Sequence, residues 1–405
     1  MRILLTEGSG LTSRQVATRL GALGHRVEIL SSTALCLARF TRHVRRVHAV
    51  PNFGLEPLAW MDAATKVCRE SAIDVLFPTQ EQVAILSALQ ETIPVRTIVP
   101  DFPSLLRVQD KISAFRALAE AGVPQPRTFV LNDETDCAKV DSFPAFVKRP
   151  VSTASSGVRR VETPAELRAA ARALGGGPLI AQAAARGRLA MIQALADDGR
   201  LIAFHANARV REGAGGGASV KESLALPQLA AHVERLVGAL RWRGAISFDA
   251  ILTDAGPLVI DVNPRLVEPI NAYRSGVDLV GTMLDLALSR PVAVQPTGQA
   301  GVRTHQLLIA ILGAAQSTRS RIAVMREIWA AAAGRGDYAN SVEELTPVRG
   351  DPIAAIPVAA AAALTLAWPP ASRLFERGAV GSYALTPAAW AEIVASANDA
   401  ARSLS

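Results

Sequence analysis

The chain has 405 residues, half of them hydrophobic, 20% charged and 5% aromatic, which excludes disorder, collagen and a small disulfide-stapled scaffold and leaves room for two or three domains. Its net charge is +7, yet only five of the 43 basic residues are lysines (Lys66, Lys111, Lys139, Lys148 and Lys221), the rest being arginines spread along the chain. With no basic run and no interleaved aromatic residues, nucleic acid is not an expected partner. Three widely spaced cysteines without CxxC or a histidine cluster argue against disulfides and structural zinc and for a reducing, cytoplasmic compartment.

The first residues turn polar after Leu5, too early for a secretion signal. Arg2 to Thr6 reads as a strand, Gly8-Ser9-Gly10 as a turn, Arg14 to Leu23 as a helix and Arg26 to Leu30 as a second strand, the opening of a parallel doubly wound sheet. Strands are expected again at Val75 to Pro78 and Thr97 to Pro100, so residues 1–103 form one Rossmann-like α/β domain. Ser13 replaces the third glycine of GxGxxG and no acid closes the second strand, which favours a plain glycine turn over a dinucleotide site. An NAD-dependent oxidoreductase built on that turn is a minor alternative.

A helix is expected from Pro103 through Asp110-Lys111 to Ala121. Strands follow at 127–131, 145–149 and 159–161, with a polar loop at 152–157 and a helix capped by Thr163-Pro164-Ala165-Glu166. Leu179 to Gln182, Ala190 to Leu195 and Leu201 to Val210 read as strands, the last two joined at Asp198-Gly199. After a glycine loop at 213–217 and a helix at 226–240 comes a hairpin, Ala245 to Asp261. The last 110 or so residues are Ala-rich, helical and α+β in character; their longest apolar run, Ile353 to Trp368, is broken by Pro357 and is shorter than a membrane span. A lid, a homodimer contact or a pocket wall are the candidate roles of this part.

Chemistry concentrates in that hairpin. A turn centred on Ala255 sets residues 253 and 257, 251 and 259, and 249 and 261 opposite each other, so Asp249 and Asp261 face one another at ~5 Å between Cβ atoms. Asn263, two residues on, points to the same face. Two carboxylates and an amide oxygen in apolar surroundings suit Mg²⁺, with Mn²⁺ as a substitute, shared with phosphate oxygens. A solvated face with accidental acids is the alternative. Lys148 ends an apolar strand just before a loop of small hydroxyl residues and glycine, where backbone N–H groups and a compact charge can hold an anion. Arg209 and Arg211 alternate toward one face and are candidates for gripping a carboxylate or acyl phosphate. Lys221, Glu222, Glu268, Asn271 and Arg274 are further substrate-side candidates. Glu81 is either a ligand contact or an ordinary helix-terminal acid, and His205 and His305 read as packed histidines.

The ordered set Asp110-Lys111, Val147-Lys148 with its small-residue loop, Met191 to Gly199, Phe248-Asp249 and Asp261-Val262-Asn263-Pro264-Arg265 resembles the ATP-grasp superfamily, nearest the branch of biotin carboxylase and carbamoyl phosphate synthetase. The resemblance covers about residues 1 to 285. It implies an α/β pre-ATP-grasp domain at 1–103, an ATP-grasp fold of two α+β subdomains at 104–290 with a lid at about 127–182, and a helical α+β extension at 291–405. It also implies that Lys111 and Lys148 bind nucleotide phosphates, that Ser155, Ser156 and Gly157 close over them, and that Gln182, Ala183 and Ala184 form the adenine-reading hinge. Asp249, Asp261 and Asn263 then hold Mg²⁺, and Arg265 steadies the transferred phosphate. The implied reaction joins a carboxylate to an amine or other nucleophile through an acyl phosphate, releasing ADP and phosphate. Departures from the family pattern are the missing acid near the hinge, aspartates where glutamates are commoner, and Leu266-Val267-Glu268-Pro269 after Asn-Pro-Arg; the first of these leaves a non-catalytic nucleotide-binding protein as the alternative.

Overall fold

The computed structural model describes residues 1–153, 157–175 and 177–404. Four parallel strands open the chain, β1 (Arg2–Leu5), β2 (Arg26–Ser31), β3 (Val44–Ala49) and β4 (Val75–Phe77), in the order β3-β2-β1-β4. Strands β1, β2 and β4 are buried at nearly every position, which is why they read as unbroken apolar runs. Edge strand β3 exposes Arg45 and Arg46 and has no such signature. The expected strand at Thr97 to Pro100 does not form, because Arg96 makes only an isolated bridge to Val75 before the chain turns into the next helix.

That helix is two helices, Phe102–Gln109 and Lys111–Glu120. Asp110 between them is extended (φ −101°, ψ 150°), and its carboxylate accepts from Ile112 N and Ser113 N at 2.9 Å each. The acid ends one helix and caps the next, so Lys111 occupies a first helical position. An Asp110→Ala variant is expected to lose about 1 kcal/mol of stability. A urea midpoint that stays where it is in the wild type would show the cap to be redundant.

A second sheet, β5 (Thr128–Leu131), β6 (Ala145–Lys148), β7 (Val158–Val161) and β8 (Leu179–Ala183), runs antiparallel in the order β5-β8-β6-β7. The helix Pro164–Ala173 covers it, started as expected by Thr163, whose Oγ1 accepts from Glu166 N at 3.2 Å. Leu131, Val147, Val161, Leu167 and Leu179 give this sheet a core of its own.

The third sheet holds seven strands in the order β13-β12-β9-β10-β11-β14-β15. These are β9 (Arg188–Asp197), β10 (Arg200–Glu212), β11 (Ala218–Leu224), β12 (Gly244–Thr253), β13 (Gly256–Asn263), β14 (Arg303–His305) and β15 (Ser341–Glu343). Asp198 and Gly199, both at positive φ (44° and 82°), make the tight β9–β10 turn. The two outer strands belong to the C-terminal part, which therefore extends this sheet before its helices begin. Among the described residues no helix is long and apolar enough to cross a membrane.

Candidate functional site

The β12–β13 hairpin brings the two acids together by a different route from the expected one. Its turn is Asp254-Ala255, so Thr253 pairs with Gly256, Leu252 with Pro257, Ile251 with Leu258 and Ala250 with Val259, one residue out of the expected register. A bulge between Asp249 and Ala250 takes up Ile260 and restores the pairing of Asp249 with Asp261. Burial first, then the Asp261 carboxylate, push Asp249 up to about 6 against the opposing pull of Arg265, Lys148 and Lys111. Among the described residues no group of three or more His, Cys, Asp and Glu forms a metal cluster, so the oxygen donors here are two carboxylates and Asn263. Two like charges held face to face, with one strained toward neutrality, fit a site completed by a divalent cation and phosphate oxygens.

Two lysines converge on this pair from separate sheets and helices. Lys148 is buried at the end of β6, and its Nζ donates to Gln182 Oε1 and to Ile260 O at 2.8 Å each. The second acceptor is the carbonyl of the bulged residue, so the irregularity that aligns the acids also anchors the lysine. Burial lowers the Lys148 pKa, opposed by Asp261 and reinforced by Lys111. Lys111 Nζ lies 3.3 Å from Asp261 Oδ1, while its backbone N–H donates to Pro150 O, tying the helix start to the lid.

Arg265 Nε donates to Glu81 Oε1 at 3.0 Å, and Glu81, Lys111, Thr153, Asp249, Asp261, Asn263 and Arg265 line a cavity of about 190 Å³. Burial alone would lower the Arg265 pKa, yet Glu81 and Asp249 hold it raised. Glu81 follows β4, where open α/β sheets place ligand contacts. Gly157 sits at the stem of the small-residue loop, its carbonyl accepting from Arg149 N; a Cβ there would meet Ser152 Cβ at 2.8 Å. Ser155 and Ser156 lie outside the described residues.

Other expected residues are placed elsewhere. Val210 is bulged between Arg209 and Arg211, which breaks their alternation. Arg211 is held by Glu327 and Asp337, and Arg209 by Glu212 and Gly216 O, so neither lines the cavity that contains the acids. In the hinge, Ala183 N donates to Arg127 O and Ala184 N to Pro144 O, so these N–H groups are already committed to the lid's own backbone. Gln182 instead positions Lys148 and donates to Thr128 Oγ1 at 3.2 Å. Lys221 is fully buried between Glu268 and Glu344, and Asn271 bonds His205 and Thr304. Arg274 is exposed. His205 and His305, lowered by burial to about 4, are packed as expected.

The N-terminal glycine turn is filled from within. Glu7 accepts from the backbone N–H of Ser9 and, at 2.7 Å, of Gly10. A dinucleotide phosphate entering that nest would meet a buried carboxylate, which removes the structural basis of the NAD alternative.

Three participants had no usable signal in the sequence. Ile260 acts through a carbonyl at a bulge. Glu344 reaches Lys221 from beyond β15. Tyr383, in the C-terminal part, is pushed up to about 12 chiefly by burial, with Arg265 opposing and Glu7, Glu81 and Glu268 reinforcing. Its neighbour Leu385 donates its N–H to Thr153 Oγ1 at 3.2 Å. Glu81, by contrast, is legible as an acid just past a sheet strand.

Residues 108–269 match the ATP-grasp domain family. No curated protein sequence matches it. Among solved structures it is similar to the biotin carboxylase domain of 2-oxoglutarate carboxylase from Hydrogenobacter thermophilus in complex with MgADP (TM-score 0.61, 18% identity, covering 75% of this chain and 73% of that one). It is also similar to N5-carboxyaminoimidazole ribonucleotide synthetase from Thermus thermophilus (TM-score 0.57, 19% identity, 75% and 81% covered). A third similar structure is L-amino acid ligase from Bacillus licheniformis (TM-score 0.56, 19% identity, 72% and 75% covered). At these identities the likeness establishes a shared fold over about three quarters of the chain.

Proposed function

We propose that the protein is an ATP-dependent carboxylate–amine ligase that requires Mg²⁺ and acts on an amino acid or other small carboxylic acid. The observation that carries this reading is the convergence of Lys111, Asp249, Asp261, Asn263 and Arg265 on one cavity, with Lys148 in the adjoining slot bonded to Ile260 O beside Asp261, from three separate parts of the chain. Mg²⁺ bound by the two aspartates and Asn263 would neutralise phosphate charge. Lys148 and Lys111 hold the phosphates, and Arg265, fixed by Glu81, orients the γ-phosphoryl group. The carboxylate oxygen attacks the γ-phosphorus and the bond to the β-γ bridging oxygen breaks, leaving ADP and an acyl phosphate. The amine lone pair then attacks the acyl carbon, the C–O bond to phosphate breaks, and the amine gives up a proton. No protein nucleophile is required.

The apolar slot beside the lysines, lined by Phe115, Leu118, Ile180 and Val262, is the best-matched place for the base. It encloses only about 20 Å³, so a purine enters when the lid sheet swings outward. The similar structures named above, a biotin carboxylase domain bound to MgADP and an L-amino acid ligase, agree with this chemistry.

The test is a phosphate-release screen with amino acids singly and in pairs, with mass detection of products. ADP and phosphate should appear only with a productive carboxylate, and Asp261→Ala should lose turnover by at least about 10²-fold while staying folded. Release of AMP and pyrophosphate would overturn the mechanism. Mg²⁺-independent ATP binding without turnover on any pair would instead support a non-catalytic nucleotide-binding protein.

A further inference from the structure

The helices Arg321–Ala332 and Ala355–Ala367 pack side by side on the outside of the C-terminal part. Arg321 Nη2 donates to Ala367 O at 2.6 Å, so the start of one helix meets the end of the other and the pair runs antiparallel. Ile322, Met325 and Trp329, at i, i+3 and i+7, share one face of the first helix. On the second helix are Ile356 and Leu364, with Trp368 just past its end. All six are exposed, Trp329 at 58% and Trp368 at 59%. The inward faces are already satisfied, since Val324 and Ala361 are buried against the helix Leu307–Thr318 and its surroundings. Apart from Arg335, which stacks over the Trp329 ring at 4.8 Å, these exposed apolar residues of two adjacent helices cover no core of the chain.

Charge on this part is equally one-sided. Residues 306–375 contain five acids, each engaged inward: Glu327 and Asp337 hold Arg211, Glu344 holds Lys221, Asp351 holds Arg14, and Glu343 accepts from the N–H groups of Leu307, Leu345 and Thr346. Arg319, Arg326, Arg349 and Arg373 are exposed, and no ion pair engages them among the described residues. Residues 352–372 carry no charge at all. The exposed charge of residues 306–375 is thus cationic among the described residues, beside two exposed tryptophans, one of them stacked by Arg335, while Glu212 of β10 lines the cleft that Arg326 also lines.

We infer that this face binds an anionic lipid surface, the two helices lying in the headgroup region without crossing it. Exposed tryptophans favour that interface, and an apolar face with arginines beside it is the composition of interfacial helices. Arginines near anionic headgroups supply the second signal that stable peripheral binding needs. A second copy of the chain is the less suitable occupant. A two-fold axis through the patch would gather both sets of unpaired arginines around one apolar contact, whereas anionic lipid neutralises them. The inference stands apart from the ligase reading and is tested without any substrate.

The full chain is sedimented with vesicles of phosphatidylcholine alone and of phosphatidylcholine mixed with phosphatidylglycerol. Binding is expected to the mixed vesicles, weakened by added salt, and to be negligible on the neutral ones. The double variant Trp329→Ser/Trp368→Ser should bind at least about tenfold more weakly, as should Arg326→Glu/Arg373→Glu, which leaves the apolar residues in place. Unchanged melting temperatures would show both variants to be folded. Absence of binding to either vesicle overturns the inference. So does a wild-type dimer in sedimentation velocity that the tryptophan variant dissociates, which would assign the face to a second copy.

Discussion

A Lys148→Met variant is expected to bind ATP about a hundredfold more weakly than the wild-type protein, a loss of ~3 kcal/mol, while its melting temperature changes little. Methionine keeps most of the stem that packs at the end of β6, so the substitution removes a charge more than a volume. Two effects on the fold oppose each other. Ile260 O and Gln182 Oε1 lose their shared donor, which costs stability, and a buried ammonium no longer has to be desolvated, which returns some of it. Nothing comparable offsets the loss in the nucleotide complex, where the phosphates add negative charge beside Asp249 and Asp261 and one of two nearby lysines is gone. Titration calorimetry with ATP and Mg²⁺ reads the affinity directly. Wild-type affinity in the variant would mean that the phosphates do not lie at Lys148.

What could be read from the sequence was what depends on residue type at short range. Rare lysines, paired aspartates and a Thr-Pro-Ala-Glu cap each carry their chemistry within a few residues, and the structure puts Lys111, Lys148, Asp249, Asp261 and Asn263 in one place. The facing of Asp249 and Asp261 was anticipated from the wrong turn. The hairpin is shorter by a residue than expected, and the bulge at Ile260 makes up the difference. No residue type announces such a bulge; it shows only once Lys148 arrives from another sheet to bond the displaced carbonyl.

Features that depend on tertiary partners were not legible. Arg209 and Arg211 looked like a substrate clamp, but their acids, Glu212 and Glu327, had to be placed before that could be judged. The helix break at Asp110 reads as a continuous apolar pattern until the carboxylate is seen turning back on Ile112 and Ser113. Strands β14 and β15, three residues each, are too short for a periodicity signal, although they join the C-terminal part to the large sheet. The arginine excess also gains a partial account. Arg14, Arg211 and Arg265 are each paired with a specific acid, while Arg319, Arg326, Arg349 and Arg373 are exposed.

Asp249→Asn should separate stability from function in opposite directions. In the metal-free protein the Asp249 pKa is raised to about 6, so folding penalises its ionised form. Below the ordinary carboxylate range the group is protonated in both folded and unfolded chains and contributes no penalty. As pH rises toward 6 the unfolded chain ionises first, and above 6 the folded state bears the full cost of a buried carboxylate facing Asp261. Asparagine removes that cost at the same size. The variant in EDTA is therefore expected to be more stable than the wild type by about 1–3 kcal/mol at pH 8, with the gain shrinking to nothing near pH 4. Thermal melts across that range measure it, and a gain independent of pH would show that relief of the charge is not its source. With ATP and Mg²⁺ the order reverses. The amide cannot supply the negative oxygen that a hard divalent cation requires, so turnover should fall by about 10²–10³-fold and ligand-induced stabilisation should largely disappear. Retention of both with asparagine at position 249 would remove Asp249 from the metal site and leave Asp261 and Asn263 as its protein ligands.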